Sequence, residues 1–120
     1  VNYIVKPQEV EAWEVHKGVT ARILANAERM TSMYFEWAPR SRFSVHTHPH
    51  EQIGICLKGE AVLTIDGQEY LVQEGDLYYI PSNVPHAERN DTDEPAIFVD
   101  VFAPVREDLL RQRFEQEIHE

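Results

Sequence analysis

Between Val45 and Gln52 the chain reads Val-His-Thr-His-Pro-His-Glu-Gln, and residues 46–52 alone hold three histidines and a glutamine. Phe43 and Val45 before this stretch, and Ile53 and Ile55 after it, have strand character. Pro49 marks a bend between the two strands. Side chains two apart on a strand share a face, so His46 and His48 are expected to project together while Thr47 points away. Two imidazoles side by side make half of a metal site. Gln52, just beyond the bend, is within reach to add an amide oxygen.

The remainder alternates short apolar runs with turn residues. Strands are expected at Trp13–Val15, Val19–Ala25 and from Met30, where Met33, Phe35 and Trp37 share one face. Beyond the histidines, Ile53, Ile55 and Leu57 oppose Gln52, Gly54 and Cys56, and the small residues Gly54 and Cys56 on the Gln52 face leave room inside a barrel. Asp66-Gly67 between Glu60–Ile65 and Gln68–Val72 is a two-residue hairpin signal. Leu77–Ile80 and Ala96–Ala103 complete an all-β barrel or sandwich. After Pro104 the period becomes helical, with Leu110, Phe114 and Ile118 at four-residue steps and acidic Glu107 and Asp108 at the N-terminal end. The expectation is one domain over residues 1–120, a barrel over about 9–104 and a helix over about 106–119.

A chain of 120 residues with 42% apolar content can bury a single core, and a small core gains from a partner, so a homodimer is expected. The formal charge of −10 argues against nucleic acid and anionic membrane surfaces. No apolar run approaches the ~20 residues of a membrane helix, and Val1-Asn2-Tyr3 does not resemble a secretory leader. A cytoplasmic location is therefore expected. Cys56 is the one cysteine and reads as a small buried side chain.

A second stretch, Gly75 to Asn90, reads turn, strand, turn, strand, with His86 just past Pro85. Together the two stretches resemble the paired motifs of the cupin superfamily. His46, His48, Gln52 and Gly59 fit the spacing of the first motif, and Gly75, Pro81, His86 and Asn90 fit the second. Three positions depart from the pattern. Arg40 stands where the first glycine belongs, which implies a less tightly turned approach to the histidines. Asn83 replaces a glycine and tolerates left-handed backbone. Gln52 replaces the usual glutamate. The resemblance implies a double-stranded β-helix (jelly-roll) barrel holding one divalent transition metal ion (Ni, Fe, Mn, Co or Zn) through His46, His48, Gln52 and His86.

Asp100 sits in the middle of the apolar run Ile97-Phe98-Val99-Asp100-Val101-Phe102. A buried carboxylate needs a partner, so Asp100 lines a wet cavity, pairs with a cation such as Arg106, or serves as a general acid/base beside the metal. The run from Asp100 to Leu109 resembles the end of the KdgF-type pectin-degradation cupins, and the histidine segment with glutamine as third ligand is similar to theirs. That segment also resembles the bacilysin-biosynthesis isomerase type. The KdgF resemblance implies conversion of 4,5-unsaturated monouronates from pectin or alginate to the open-chain keto form. Asp100, Phe102 and Arg106 would be the functional residues outside the ligand set, and the substrate a small anionic sugar derivative.

Three neutral imidazoles and a neutral amide leave a divalent ion its full charge. Such a centre suits an anionic chelating substrate better than high iron oxidation states. Asp100 would move the proton, Arg106 would clamp the carboxylate, and Phe102 would supply an apolar wall. The rival classes are a cupin dioxygenase, which would consume oxygen, and a sugar-binding cupin without turnover.

Overall fold

The computed structural model describes residues 3–119, with side chains described through residue 115. Ten strands and a terminal helix follow one another as β1 (Trp13–His16), β2 (Val19–Asn26), β3 (Thr31–Trp37), β4 (Arg42–His46), β5 (Glu51–Lys58), β6 (Glu60–Ile65), β7 (Gln68–Gln73), β8 (Leu77–Ile80), β9 (His86–Arg89), β10 (Ala96–Ala103) and α1 (Glu107–His119). They form a six-stranded sheet ordered β1-β2-β3-β10-β5-β8 and a four-stranded sheet ordered β4-β9-β6-β7. Neighbouring strands are antiparallel throughout.

The period-2 pattern sorts side chains between core and outside. On β3, Met33, Phe35 and Trp37 are buried as expected, and on β10 Phe98, Asp100 and Phe102 point inward together. Core side chains come from both sheets: Val19, Phe35, Trp37, Cys56, Phe98 and Phe102 from the larger, and Ala61, Leu63 and Val72 from the smaller. Each large apolar side chain so buried contributes roughly 1.5–3 kcal/mol relative to exposure. The Cys56 thiol is buried, as the sequence implied, and donates weakly to the Lys58 and Gly59 carbonyls.

Turn chemistry closes the strands. Asp66 and Gly67 both take positive φ (51° and 83°), the primed hairpin geometry their sequence calls for. Asn83 likewise sits at φ 64°. Arg40 corrects an expectation, because it adopts φ 63°, the conformation for which glycine is favoured. Two bonds from its guanidinium to Asp93 (2.9 and 3.0 Å) and one to the Asp91 carbonyl (2.6 Å) hold that turn in place of a glycine's freedom.

The helix also corrects the reading of its apolar face. Phe114 is 60% exposed, and the side chain of Ile118 lies outside the described residues. Leu109, Gln112 and Arg113 make the docking face instead. Leu109 packs on the core, Gln112 donates to the Val15 carbonyl (3.0 Å), and Arg113 reaches Glu11 and the Trp13 ring. None of the described helices is long and apolar enough to cross a membrane.

On the outside of the larger sheet, Ile53, Ile55, Leu57, Leu77, Tyr79 and Val101 are all exposed. They form one patch, because Ile53 stands between Tyr79 and Val101, and Ile55 beside Leu77. A continuous apolar surface beside the edge strand β8 is unusual for a face left to water.

Candidate metal centre and active-site cavity

His46 and His86 are direct cross-strand neighbours on β4 and β9, with ring centroids 4.2 Å apart. His48 does not share a strand face with His46 as expected, because β4 ends at His46. The loop brings it in instead: its carbonyl accepts from the Asn83 N–H (2.9 Å), and its ring lies 4.8 Å from that of His86. The three imidazoles place one nitrogen each within 4.8 Å of one another. Thr47, expected to point away, lines the same cavity.

Each ring has its tautomer fixed by a backbone carbonyl, which can only accept. Nδ1–H of His46 donates to Ser44 (2.8 Å), that of His48 to His50 (3.0 Å), and that of His86 to Val84 (2.8 Å). The three Nε2 atoms are left with lone pairs. His86 Nε2 is buried with no hydrogen-bond partner, and His48 Nε2 faces Gln52 Oε1 at 3.2 Å, acceptor against acceptor. The Gln52 amide is held in that orientation because its Nε2–H donates to Asp100 Oδ2 (3.1 Å). Converging lone pairs without a donor are what a cation satisfies. The residues fit a divalent metal, with Gln52 as the fourth donor. Burial lowers the basicity of all three rings, most for His48, which falls to about 4, so they stay neutral and able to ligate.

Asp100 is buried and accepts from both Gln52 and Tyr78. The expected partner, Arg106, is bound elsewhere: its Nε and Nη2 form a two-point pair with Asp108 (2.9 and 2.8 Å), and its guanidinium stacks on Phe102 at 4.7 Å. That pair holds Asp108 down to about 2. Burial raises Asp100 to about 7 against the hydrogen bonds that favour its ionised form. Tyr78 reaches Asp100 over Gly54, which lies between them in register; a Cβ at Gly54 would overlap both side chains.

These groups line one cavity of about 400 Å³, with His46, His48, Gln52, Asp100, Phe102 and Arg106 in its wall. Glu88 lines it too, raised to about 8 by burial and then by the charge of Asp100. Tyr78 and Glu88 are absent from the reading of the sequence. A signal for Glu88 existed, since it stands two residues beyond His86 on the same strand. Tyr78 had none, because its place depends on how β8 pairs with β5.

The family model of the cupin domain matches residues 33–102. The chain belongs to the cupin family. Among curated relatives, the pectin degradation protein KdgF of Dickeya dadantii (strain 3937) is 24% identical over 98 residues, covering 81% of this cupin and 88% of KdgF. The H2HPP isomerase of Bacillus subtilis is 34% identical over 64 residues, covering 52% of this cupin. This cupin spans only 27% of that isomerase's length. The solved structure of KdgF from Halomonas sp. superposes with a TM-score of 0.82 at 22% identity, covering 91% of this cupin and 99% of that chain, a likeness of fold.

Proposed function

We propose that this cupin is a metal-dependent enzyme that opens 4,5-unsaturated monouronates from pectin or alginate and tautomerises the resulting enol to the ketone. The observation that carries the reading is Asp100, a carboxyl raised to about 7 beside three convergent imidazoles in a cavity also lined by Arg106. The near full-length similarity to KdgF of Dickeya dadantii supports the choice of substrate.

A divalent ion held by His46, His48, Gln52 and His86 would supply positive charge that stabilises the enolate as the ring opens. Asp100 does the proton work. Burial raises its carboxyl well above the ordinary carboxylate range in the metal-free protein, which suits it to accept a proton and return it at carbon 4. Gln52 and Tyr78 fix its oxygens and keep it from swinging away. Arg106 keeps Nη1 available for the substrate carboxylate while Asp108 fixes the plane of the guanidinium. Phe102, beneath the guanidinium, makes the apolar floor.

Turnover in D2O tests the reading. The product is expected to carry one deuterium at carbon 4, and an unlabelled product, or oxygen consumed in step with substrate, would contradict it. We assign the expected homodimer to the exposed face around Ile53, Ile55 and Tyr79. Ile53→Asp should then leave a folded monomer by light scattering; an unchanged dimer would move the interface elsewhere.

A further inference from the structure

Two side chains of the cavity have no role in that scheme. Glu88 reaches it from β9, where it stands opposite Phe43 and Leu63. It also borders a small void behind the cavity, against Trp37, Leu63, Phe98 and Asp100. Among the described residues no hydrogen bond to the Glu88 side chain is formed, although its neighbour Arg89 is bound to both Glu69 and Asp91. Gln112 reaches the cavity from α1. Its Nε2–H donates to the Val15 carbonyl (3.0 Å), which can only accept, so the oxygen is the end left over. That Oε1 is buried and has no partner.

Both groups are acceptors, and among the described residues neither the Glu88 carboxyl nor Gln112 Oε1 receives a hydrogen bond from the cavity wall. Arg106 holds Asp108 through Nε and Nη2 and keeps Nη1 for the substrate carboxylate, and Val15, Val19, Phe35 and Phe43 contribute only apolar surface. An enclosed acceptor left unmatched is costly, so a site built this way favours a guest that brings donors. Hydroxyl groups are such donors, and the two oxygens of a carboxyl group suit a pair of neighbouring hydroxyls. A carbonyl oxygen accepts whether the acid is protonated or ionised, so Glu88 offers an acceptor in either state.

We infer that Glu88 and Gln112 are the acceptors that read the hydroxyl groups of the substrate, which makes the cavity selective for a polyhydroxylated acid over a plain one. The inference rests on the sugar-acid reading above and names two specificity-determining residues for it.

The test is calorimetric binding to the metal-loaded protein with two unreactive acids. One is D-galacturonate. The other is tetrahydropyran-2-carboxylate, which keeps the ring oxygen and carboxylate but lacks hydroxyls. Wild type should prefer galacturonate by about tenfold or more, the scale of one hydrogen bond to a charged group. Glu88→Leu and Gln112→Leu should each remove most of that preference by weakening galacturonate alone, and Glu88→Gln, which keeps an acceptor oxygen, should retain part of it. Variants that weaken both acids equally would mark the two residues as structural and overturn the inference, as would a wild type without preference. If such a protein still ketonises unsaturated uronates, the inference falls alone. If wild type shows the preference but no ketonisation, the catalytic reading falls and the hydroxyl-reading site stands. Binding of neither acid overturns the inference, and the ketonisation assay then decides the catalytic reading separately.

Discussion

Gln52 stands between His48 and Asp100, its oxygen 3.2 Å from the His48 Nε2 and its nitrogen donating to the Asp100 carboxyl at 3.1 Å. One amide therefore belongs to both halves of the site. A glutamate there would supply a charged oxygen to the histidine cluster but would face Asp100 as a second acceptor.

Gln52→Glu should consequently keep the metal and lose turnover. With the amide donor gone and a negative charge beside it, Asp100 should hold its proton to higher pH. The pH–rate profile, with metal content determined in parallel, checks this. We expect at least a tenfold loss at neutral pH and an acid-to-base transition moved upward. An unshifted profile would show that Gln52 does not tune Asp100.

Asp100→Asn removes the proton carrier at nearly constant shape. Turnover should fall by roughly 10²-fold or more, as is typical of general acid–base loss, with metal retained. Stability adds a second readout with a definite sign. Folding raises Asp100 from 3.8 to about 7, so between those values the folded state holds the proton that the unfolded state has lost. Its contribution to stability therefore declines as pH rises through that window and is flat above it. The melting temperature of Asp100→Asn, relative to wild type and both metal-free, should rise from about pH 4 to about pH 7. A difference independent of pH would contradict the raised value.

Gly54→Ala tests how Tyr78 and Asp100 are held. The added Cβ meets both side chains at once, so the Tyr78–Asp100 hydrogen bond has to break. Overpacking of this kind costs typically 1–3 kcal/mol. The variant should melt lower and lose activity beyond what the melting shift explains, while one metal equivalent remains. Wild-type activity would mean that Tyr78 has no part in the chemistry.

His48→Ala should abolish binding of one metal equivalent per chain. Wild-type protein should retain the ion well below the ordinary histidine value of 6.5, because burial leaves protons weak competitors; release is expected as pH approaches the His48 value of about 4. The metal-free fold follows the same sign. These histidines bind fewer protons folded than unfolded, so their contribution is intact above 6.5 and declines as pH falls towards 4. Elemental analysis after dialysis across this range checks the first point, and release already at about pH 6.5 would contradict it.

The parts of this molecule that were legible in the sequence are those that follow from local period. Phe98, Asp100 and Phe102 alternate with apolar neighbours on one strand, and Asp66-Gly67 has one natural turn, so both appear where the pattern puts them. What was hidden depends on partners far along the chain or on competition between neighbours. Arg40 takes a glycine-like φ in a turn that Asp91 and Asp93, some fifty residues on, bind. Arg106 was a candidate for Asp100, but Asp108 lies two residues away at the start of α1 and captures it first. Phe114 continued a helical stripe in the sequence, yet the helix docks through Leu109 and Gln112, which the four-residue step did not include.

The most direct measurement follows the ultraviolet absorbance of the conjugated double bond in an unsaturated monouronate released by a pectate or alginate lyase. Metal-loaded protein should speed its loss above the spontaneous rate. Arg106→Ala should slow that loss by roughly 30-fold or more with metal content unchanged, the cost of removing one partner of a desolvated charged pair. No acceleration on either the pectin- or the alginate-derived monomer, by protein carrying one metal equivalent, would contradict the account.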